Sequence, residues 1–237
     1  MTDAFLITVS FFTSTLTAVV GVGGGMLLIS VMPGALPASA IVPVHGVVQL
    51  ASNATRAGFA RRMIVWRIAI PFALGSVVGA ALGSPLVDDV PAELLPLALG
   101  IFILVLTWLP RPKLPRRFPG TWPILGAVQS FLALFIGVTG PLSVPPLLRE
   151  NLSRDRLVAT DAVLNTALHG LKVLTFAALG FAYAEWLPLM AAMIVAVSLG
   201  SWVGTHLRSR VPEEPFRRVL RLLLTVLAVR MLILALV

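Results

Sequence analysis

Three features of the sequence predict an all-α polytopic membrane protein built from two homologous repeats. Of the 237 residues, 58% are hydrophobic and 12% are charged, and the mean hydropathy is +0.97. A soluble globular domain, by contrast, is typically about 25% charged. The apolar residues form eight long segments, and a polar pattern in the first half of the chain returns in the second half at a fixed distance.

Hydropathy and helix-breaking residues set the bounds of the eight segments. The segments cover residues 4–32, 38–60, 65–87, 91–110, 121–148, 156–180, 184–207 and 217–237. Residues 1–110 therefore form the first membrane repeat and residues 121–237 the second, within a single integral membrane domain. Residues 111–120 form a basic, proline-rich linker, which we predict to be cytoplasmic because short loops rich in Lys and Arg stay on that side.

The first segment of each repeat is predicted to be a discontinuous helix, which either re-enters on the same side of the membrane or crosses it fully. As one straight helix, residues 4–32 would extend about 43 Å, whereas the hydrocarbon core of a bilayer is about 30 Å thick. A glycine-rich run at residues 21–25 interrupts the first copy, and Pro141, Pro145 and Pro146 interrupt the second. The unpaired backbone groups at each break must face protein or water rather than lipid.

The second segment of each repeat carries a polar stripe on one helical face. Its residues are spaced four, four and three positions apart, and they are His45, Gln49, Asn53 and Arg56 in the first repeat and Asp161, Asn165, His169 and Lys172 in the second. The offset between the two stripes is 116 residues throughout. The runs at 21–25 and 137–141 share that offset, and Leu-Gly-Ser recurs at 74–76 and 199–201, so the chain is an internal duplication.

Loop charges favour an inverted arrangement of the two repeats. In the first repeat the loop after the second segment is basic (Arg61, Arg62, Arg67) and the next loop is acidic (Asp88, Asp89). In the second repeat the first of these loops has no Lys or Arg, and the other is rich in arginine. Inversion predicts three full crossings plus the re-entrant element in each repeat, with both termini outside. Eight full crossings with parallel repeats remain the alternative.

The helix breaks and the polar stripes are the candidate binding elements. Ionisable groups inside an apolar helix are costly and usually mark a substrate or ion path. Glycine lets the backbone approach a ligand, and a helix that begins after a break offers an anion free N–H groups and a positive dipole end. The predicted substrate-binding residues are Gly21, Gly23, Gly24, Gly25, His45, Gln49, Asn53, Arg56, Gly137, Gly140, Ser143, Asn165, His169 and Lys172. His45, Asp161 and His169 are candidates for proton coupling, because they can titrate.

Each of these interpretations has a structural alternative. Glycines also permit close packing between membrane helices. The long side chains of Arg56 and Lys172 can extend to the membrane interface while their stems stay in the apolar layer. The histidines can also serve as ordinary hydrogen-bonding groups between helices.

Several function classes are disfavoured by the sequence. It contains no cysteine, no P-loop, no G-x-S-x-G elbow and no H-E-x-x-H motif, and we expect neither a cofactor nor a metal site. A hydrolase that uses Asp161 and His169 is disfavoured because these residues are about 12 Å apart along one helix. The net charge of +8 arises from short loops, where it serves orientation and contact with anionic lipids rather than nucleic acid.

The motifs and their order resemble the sulfite exporter TauE/SafE family over essentially the whole chain. The likeness rests on GVGGG at 21–25, PVHGVVQLASNATRA at 43–57, ATDAVLNTALHGLK at 159–172, and LGSxxG at 74–79 and 199–204. The sequence departs from the pattern in the second repeat, where GVTGP replaces a glycine-rich run. Members of this family are bacterial inner-membrane transporters of sulfite, sulfonates and other sulfur-containing anions.

The residues and the resemblance together predict a secondary transporter of small anions that works by alternating access. The expected location is the bacterial inner membrane, with multiple crossings, and the expected partners are a small anionic substrate and membrane lipids. No nucleic acid partner is expected, and the possibility of a homo-oligomer stays open. The alternatives are a passive anion channel and a non-transporting membrane assembly factor.

Overall fold

The computed structural model describes residues 2–20, 23–108, 120–207 and 213–236, and these residues form α-helices and short 3-10 turns without a β-strand. In chain order the helices are α1 (Thr2–Val20), α2 (Gly24–Val31), α3 (Ala38–Phe59), α4 (Trp66–Gly83), α5 (Leu95–Trp108), α6 (Thr121–Ile136), α7 (Val144–Leu148), α8 (Arg154–Ala178), α9 (Leu187–Leu207) and α10 (Glu213–Leu236). The all-α prediction is confirmed. Gly21 and all of the predicted linker except Gly120 lie outside the described residues.

Several helices have the length and composition of membrane spans. Within the described ranges, residues Thr2–Val19, Trp66–Leu86 and Tyr183–Leu207 are long and apolar enough to cross a bilayer. Helices α3, α8 and α10 have 22, 25 and 24 residues, about 33–38 Å, but they carry more polar or charged groups. Large apolar side chains such as Leu74, Leu174 and Val226 are more than 60% exposed, as expected of a surface that faces lipid. The chain is therefore a multi-pass membrane protein.

The first segment is broken at its glycine-rich run. Helix α1 ends at Val20, and α2 begins at Gly24, after Gly23 adopts the left-handed conformation with φ 101°. The chain then turns back on itself, because α2 packs against α1 and Gly24 lies against the backbone carbonyl of Thr13. A β-carbon at residue 24 would overlap that carbonyl, so the tight reversal requires glycine.

The first segment of the second repeat, residues 121–148, is also broken, but in a different way. Helix α6 ends at Ile136, and Gly137 is left-handed with φ 79°. A 3-10 turn at Gly140–Ser143 then leads into α7, which has only five residues. The chain again turns back, since the Thr139 hydroxyl donates to the Gln129 carbonyl at 3.1 Å. The half-helix after the second break is therefore shorter than the one after the first, and its prolines lack the backbone N–H donors that an anion would use.

The largest helix–helix contacts form pairs that are related by exchange of the two halves. Helix α1 packs on α9, and the equivalent α6 packs on α4. Helix α3 packs on its counterpart α8, and α5 packs on its counterpart α10. The two stripe helices therefore pack on each other; α3 also contacts α2 and α6, and α8 also contacts α6 and α7.

Glycines bring the helices of the two halves into backbone contact. Gly75 and Gly79 of α4 lie against the carbonyls of Pro123 and Ala127 in α6. At the other interface the same arrangement places two glycines of α9, Gly200 and Gly204, against the carbonyls of Phe11 and Thr15 in α1. These are the glycines of the LGSxxG pattern, so that motif sets the distance between the halves.

We expect Gly79→Ala and Gly204→Ala to lower the midpoint temperature of thermal unfolding in detergent. The added methyl group meets a backbone carbonyl that cannot move independently of its helix, and overpacking of this kind costs about 1–3 kcal/mol. Gly58→Ala in α3 is the matched control, because a β-carbon there has no neighbour within 4 Å. Equal midpoints for all three variants and the unmodified protein would contradict the proposed role of the glycines in packing.

Candidate substrate-binding site

A cavity of about 40 Å³ lies where the polar stripes of α3 and α8 meet the two helix breaks. By volume it holds roughly three water-sized groups, which suits a small oxyanion. Its lining is contributed by both halves of the chain and consists of Thr17, Gly23, Gly25, Met26, Gln49, Asn53, Arg56, Val138, Gly140, Pro141, Asp161, Asn165 and His169.

Arg56 supplies the guanidinium group of the cavity. The residue is only 7% exposed, so its side chain stays inside the protein rather than extending to the membrane interface. Its Nε donates to the Ser52 carbonyl at 3.3 Å, and its Nη2 donates to Asn53 Oδ1 at 2.6 Å. Asn53 is itself fixed, because its amide donates to the Gln49 carbonyl at 2.7 Å. The α3 stripe is therefore a connected set of hydrogen bonds that orients one cation toward the cavity.

Asp161 supplies the carboxylate of the same cavity. It is 6% exposed and accepts a hydrogen bond on each oxygen, from the Ser143 hydroxyl at 2.6 Å and from the Asn165 amide at 3.1 Å. Ser143 belongs to the second break and Asn165 lies one turn further along α8. His169 follows on the same face, and its Nδ1 is buried without a hydrogen-bond partner. The cavity lining thus combines the Arg56 guanidinium, the Asp161 carboxyl group and the buried His169 imidazole, whose Nδ1 has no hydrogen-bond partner.

Lys172 and His45 form a bridge between the two helix breaks. The Lys172 ammonium donates to the Gly137 carbonyl at 2.8 Å and approaches His45 Nδ1 at 3.5 Å. On the other side of the ring, His45 Nε2 lies 3.0 Å from the Gly25 carbonyl. A carbonyl can only accept, so with the proton on Nε2 the ring donates to Gly25 and leaves Nδ1 as the acceptor for the ammonium. The bridge therefore connects the second break at Gly137 with the first break at Gly25.

Most of the predicted binding residues line the cavity. Those that do are Gly23, Gly25, Gln49, Asn53, Arg56, Gly140, Asn165 and His169, together with the proton-coupling candidate Asp161. The structure does not place Gly24, His45, Gly137, Ser143 or Lys172 on the lining. Gly24 packs on α1, Ser143 holds Asp161, and the other three form the bridge behind the cavity.

The interface alternative for Lys172 does not apply, because the residue is only 1% exposed. Its stem passes over Gly46, where a β-carbon would come within 2.8 Å of Lys172 Cε. The glycine of the PVHGVVQ sequence thus leaves room for the lysine between α3 and α8. Lys172 therefore contacts the backbone of the second break and lies outside the cavity lining.

Four lining residues and one buried amide are absent from the sequence prediction. Thr17, Met26, Val138 and Pro141 line the cavity next to the breaks. They are not among the predicted binding residues, because none of them belongs to a repeated polar pattern. Gln129 is fully buried, and neither atom of its amide has a hydrogen-bond partner. The sequence does indicate that Gln129 is noteworthy, because a glutamine within an apolar segment is unusual. Among the described residues there is no group of three or more His, Cys, Asp or Glu positioned to hold a metal ion.

Comparison with known proteins identifies one family. The family model described as "Sulfite exporter TauE/SafE" matches residues 6–231, which include both stripes, both breaks and the whole cavity lining. Neither a curated protein nor a solved structure matches the chain.

Proposed function

The chain belongs to the sulfite exporter TauE/SafE family, and we propose that it carries small sulfur-containing anions, sulfite and related oxyanions among them, across the bacterial inner membrane by alternating access. The family is one of transporters rather than enzymes. The observation that carries the proposal is the cavity between α3 and α8, which combines a buried guanidinium, side-chain amides and glycine backbone. These groups are suited to an anion and are shielded from lipid.

The first break strengthens the site for an anion. Helix α2 begins at Gly24 and points its first turn at the region lined by Gly23 and Gly25. The first N–H groups of a helix have no partner within it, and they carry about half a positive charge. Among the described residues, no side-chain hydrogen bond caps the start of α2, which favours a role for these N–H groups in binding an anion. In our proposal the anion lies between this helix start and the Arg56 guanidinium.

Inverted repeats provide the route to alternating access in this proposal. The exchange symmetry of the helix packing supports two equivalent halves around the α3–α8 contact. In inverted repeats, the two halves can swap conformations and thereby open the same central site to one side and then the other. The re-entrant first segments then act as the gates, since their breaks form two walls of the cavity.

Reporter fusions test this topology. We expect a fusion in the linker at Lys113 to report the cytoplasm and a fusion after Val237 to report the outside, because the basic linker orients the chain. A cytoplasmic signal at Val237 contradicts the inverted, re-entrant arrangement and favours eight crossings with parallel repeats or the opposite orientation. Neither outcome alters the family or the cavity.

Uptake into proteoliposomes tests the transport proposal. The panel consists of sulfite, sulfate, thiosulfate, taurine and sulfoacetate, each measured with and without a pH gradient. A secondary transporter gives saturable flux of at least one anion, and proton coupling makes that flux respond to the gradient. A channel gives downhill flux without coupling and without saturation at comparable concentrations. The absence of flux for every anion would contradict transport and favour an assembly role.

A further inference from the structure

We propose that the cavity selects oxyanions that carry a proton, such as hydrogensulfite and hydrogenselenite, over oxyanions that do not, such as sulfate and alkylsulfonates. This inference rests on the proposed function, because it concerns the same site. It follows from the presence of a carboxylate, Asp161, on the wall of a cavity otherwise suited to anions. A carboxylate disfavours any anion unless a proton lies between the two.

Asp161 is held so that it can act as a hydrogen-bond acceptor for the substrate. Ser143 fixes one carboxylate oxygen and Asn165 fixes the other, which defines the direction of both. An ionised carboxylate has about four acceptor positions, so these two donors leave capacity for a third donor on the cavity side. In our proposal an O–H group of the bound anion occupies one of these acceptor positions, on the cavity lining that Asp161 shares with Arg56.

Arg56, which shares the cavity lining with Asp161, requires acceptor atoms from the same ligand. Arg56 is a donor and cannot accept, so it pairs with the unprotonated oxygens of an oxyanion. A protonated oxyanion thus matches both residues, with acceptor oxygens toward Arg56 and its O–H toward Asp161. The remaining ionisable group on the lining is His169, while His45 and Lys172 lie behind it.

The proton distinguishes anions of nearly the same shape. Selenite near neutral pH is mainly hydrogenselenite, and sulfite is partly hydrogensulfite, whereas sulfate and methanesulfonate carry no proton. A proton-free anion binds only when Asp161 has first taken a proton from water, so one proton enters the site with it. Hydrogenselenite brings its own proton, and Asp161 then takes up none. Sites that hydrogen-bond a substrate O–H discriminate strongly against analogues that lack it.

Binding of three anions to the purified full chain near neutral pH tests the selection. Calorimetry should show hydrogenselenite binding at least ~10-fold more tightly than sulfate or methanesulfonate, the value of one charge-assisted hydrogen bond. Asp161→Asn should remove most of this difference, because an amide can donate to a proton-free oxyanion. Asp155→Asn is the matched control, since it removes the same charge from an exposed position at the start of α8.

A second measurement needs no variant. In weakly buffered detergent solution with a pH indicator, saturating methanesulfonate should take up about one proton per bound anion, and hydrogenselenite close to none. If the unmodified protein binds sulfate or methanesulfonate as tightly as hydrogenselenite, with equal proton uptake, the selection is wrong and anion transport stands. If none of the three anions binds and no flux occurs in proteoliposomes, the proposed function fails as well.

Discussion

Replacing Arg56 by glutamine should lower the affinity for sulfite by roughly 10- to 150-fold, which corresponds to the loss of one charge-assisted hydrogen bond. The guanidinium is buried on the cavity wall, where its charge acts through a medium of lower dielectric constant than water. Glutamine keeps a donor of similar size but lacks the charge and the planar fork. Affinity measured in detergent isolates binding from the conformational steps of transport.

Arg67→Gln is the control for this substitution. The Arg67 side chain is 66% exposed and pairs with Glu150 at the surface, at 2.9 Å. Surface ion pairs contribute little, so this variant should bind sulfite as the unmodified protein does. Asn53→Ala and Asn165→Ala should give intermediate losses, because they remove the residues that orient Arg56 and Asp161. Unchanged affinity in Arg56→Gln would remove Arg56 from the site and leave the fold and family untouched.

The sequence predicted where polar groups would gather because the duplication repeats their spacing. Two helices with polar residues at the same four, four and three intervals must bury the same face, and the shared offset places that face in each half. The breaks were predictable for a similar reason, since glycine and proline act on the backbone locally. The location of the cavity therefore follows largely from local patterns.

The division between lining residues and supporting residues was not predictable in the same way. Arg56 and Lys172 occupy equivalent positions in the stripes, yet Arg56 lines the cavity and Lys172 lies behind it. The difference depends on tertiary neighbours, because Gly46 makes room for the lysine stem and the Gly137 carbonyl receives its ammonium. A periodic pattern specifies a helical face, but it does not specify how far a long side chain reaches from it.

The second break shows the same limit. Proline content predicted the interruption, and Ser143 was a candidate ligand, but its hydroxyl is instead used to hold Asp161. That contact joins residues 18 positions apart and depends on how the 3-10 turn packs on α8. Side-chain contacts of this kind are set by the packing of whole elements, which local propensity does not contain.

Lys172→Met should slow anion transport by roughly 10-fold or more while leaving thermal stability close to that of the unmodified protein. Two effects on stability oppose each other. Removing the ammonium relieves the cost of a buried charge whose described partners are neutral, the Gly137 carbonyl and His45. It also leaves those acceptors unsatisfied, at about 1–3 kcal/mol each. We expect no such compensation in the transport rate, because the substitution removes the hydrogen-bonded bridge between the two breaks.

Gly46→Ala tests the position of the Lys172 ammonium without removing its charge. The added methyl group would displace Lys172 Cε without removing the ammonium, so transport should fall in the same direction. Gly58→Ala on the same helix has open space around it and should transport normally. Combining Gly46→Ala with Lys172→Met should add little to the loss caused by Lys172→Met alone, because both act on one contact. Normal transport by Lys172→Met would show that the two breaks move independently, and fully additive losses would show that Gly46 acts on another neighbour.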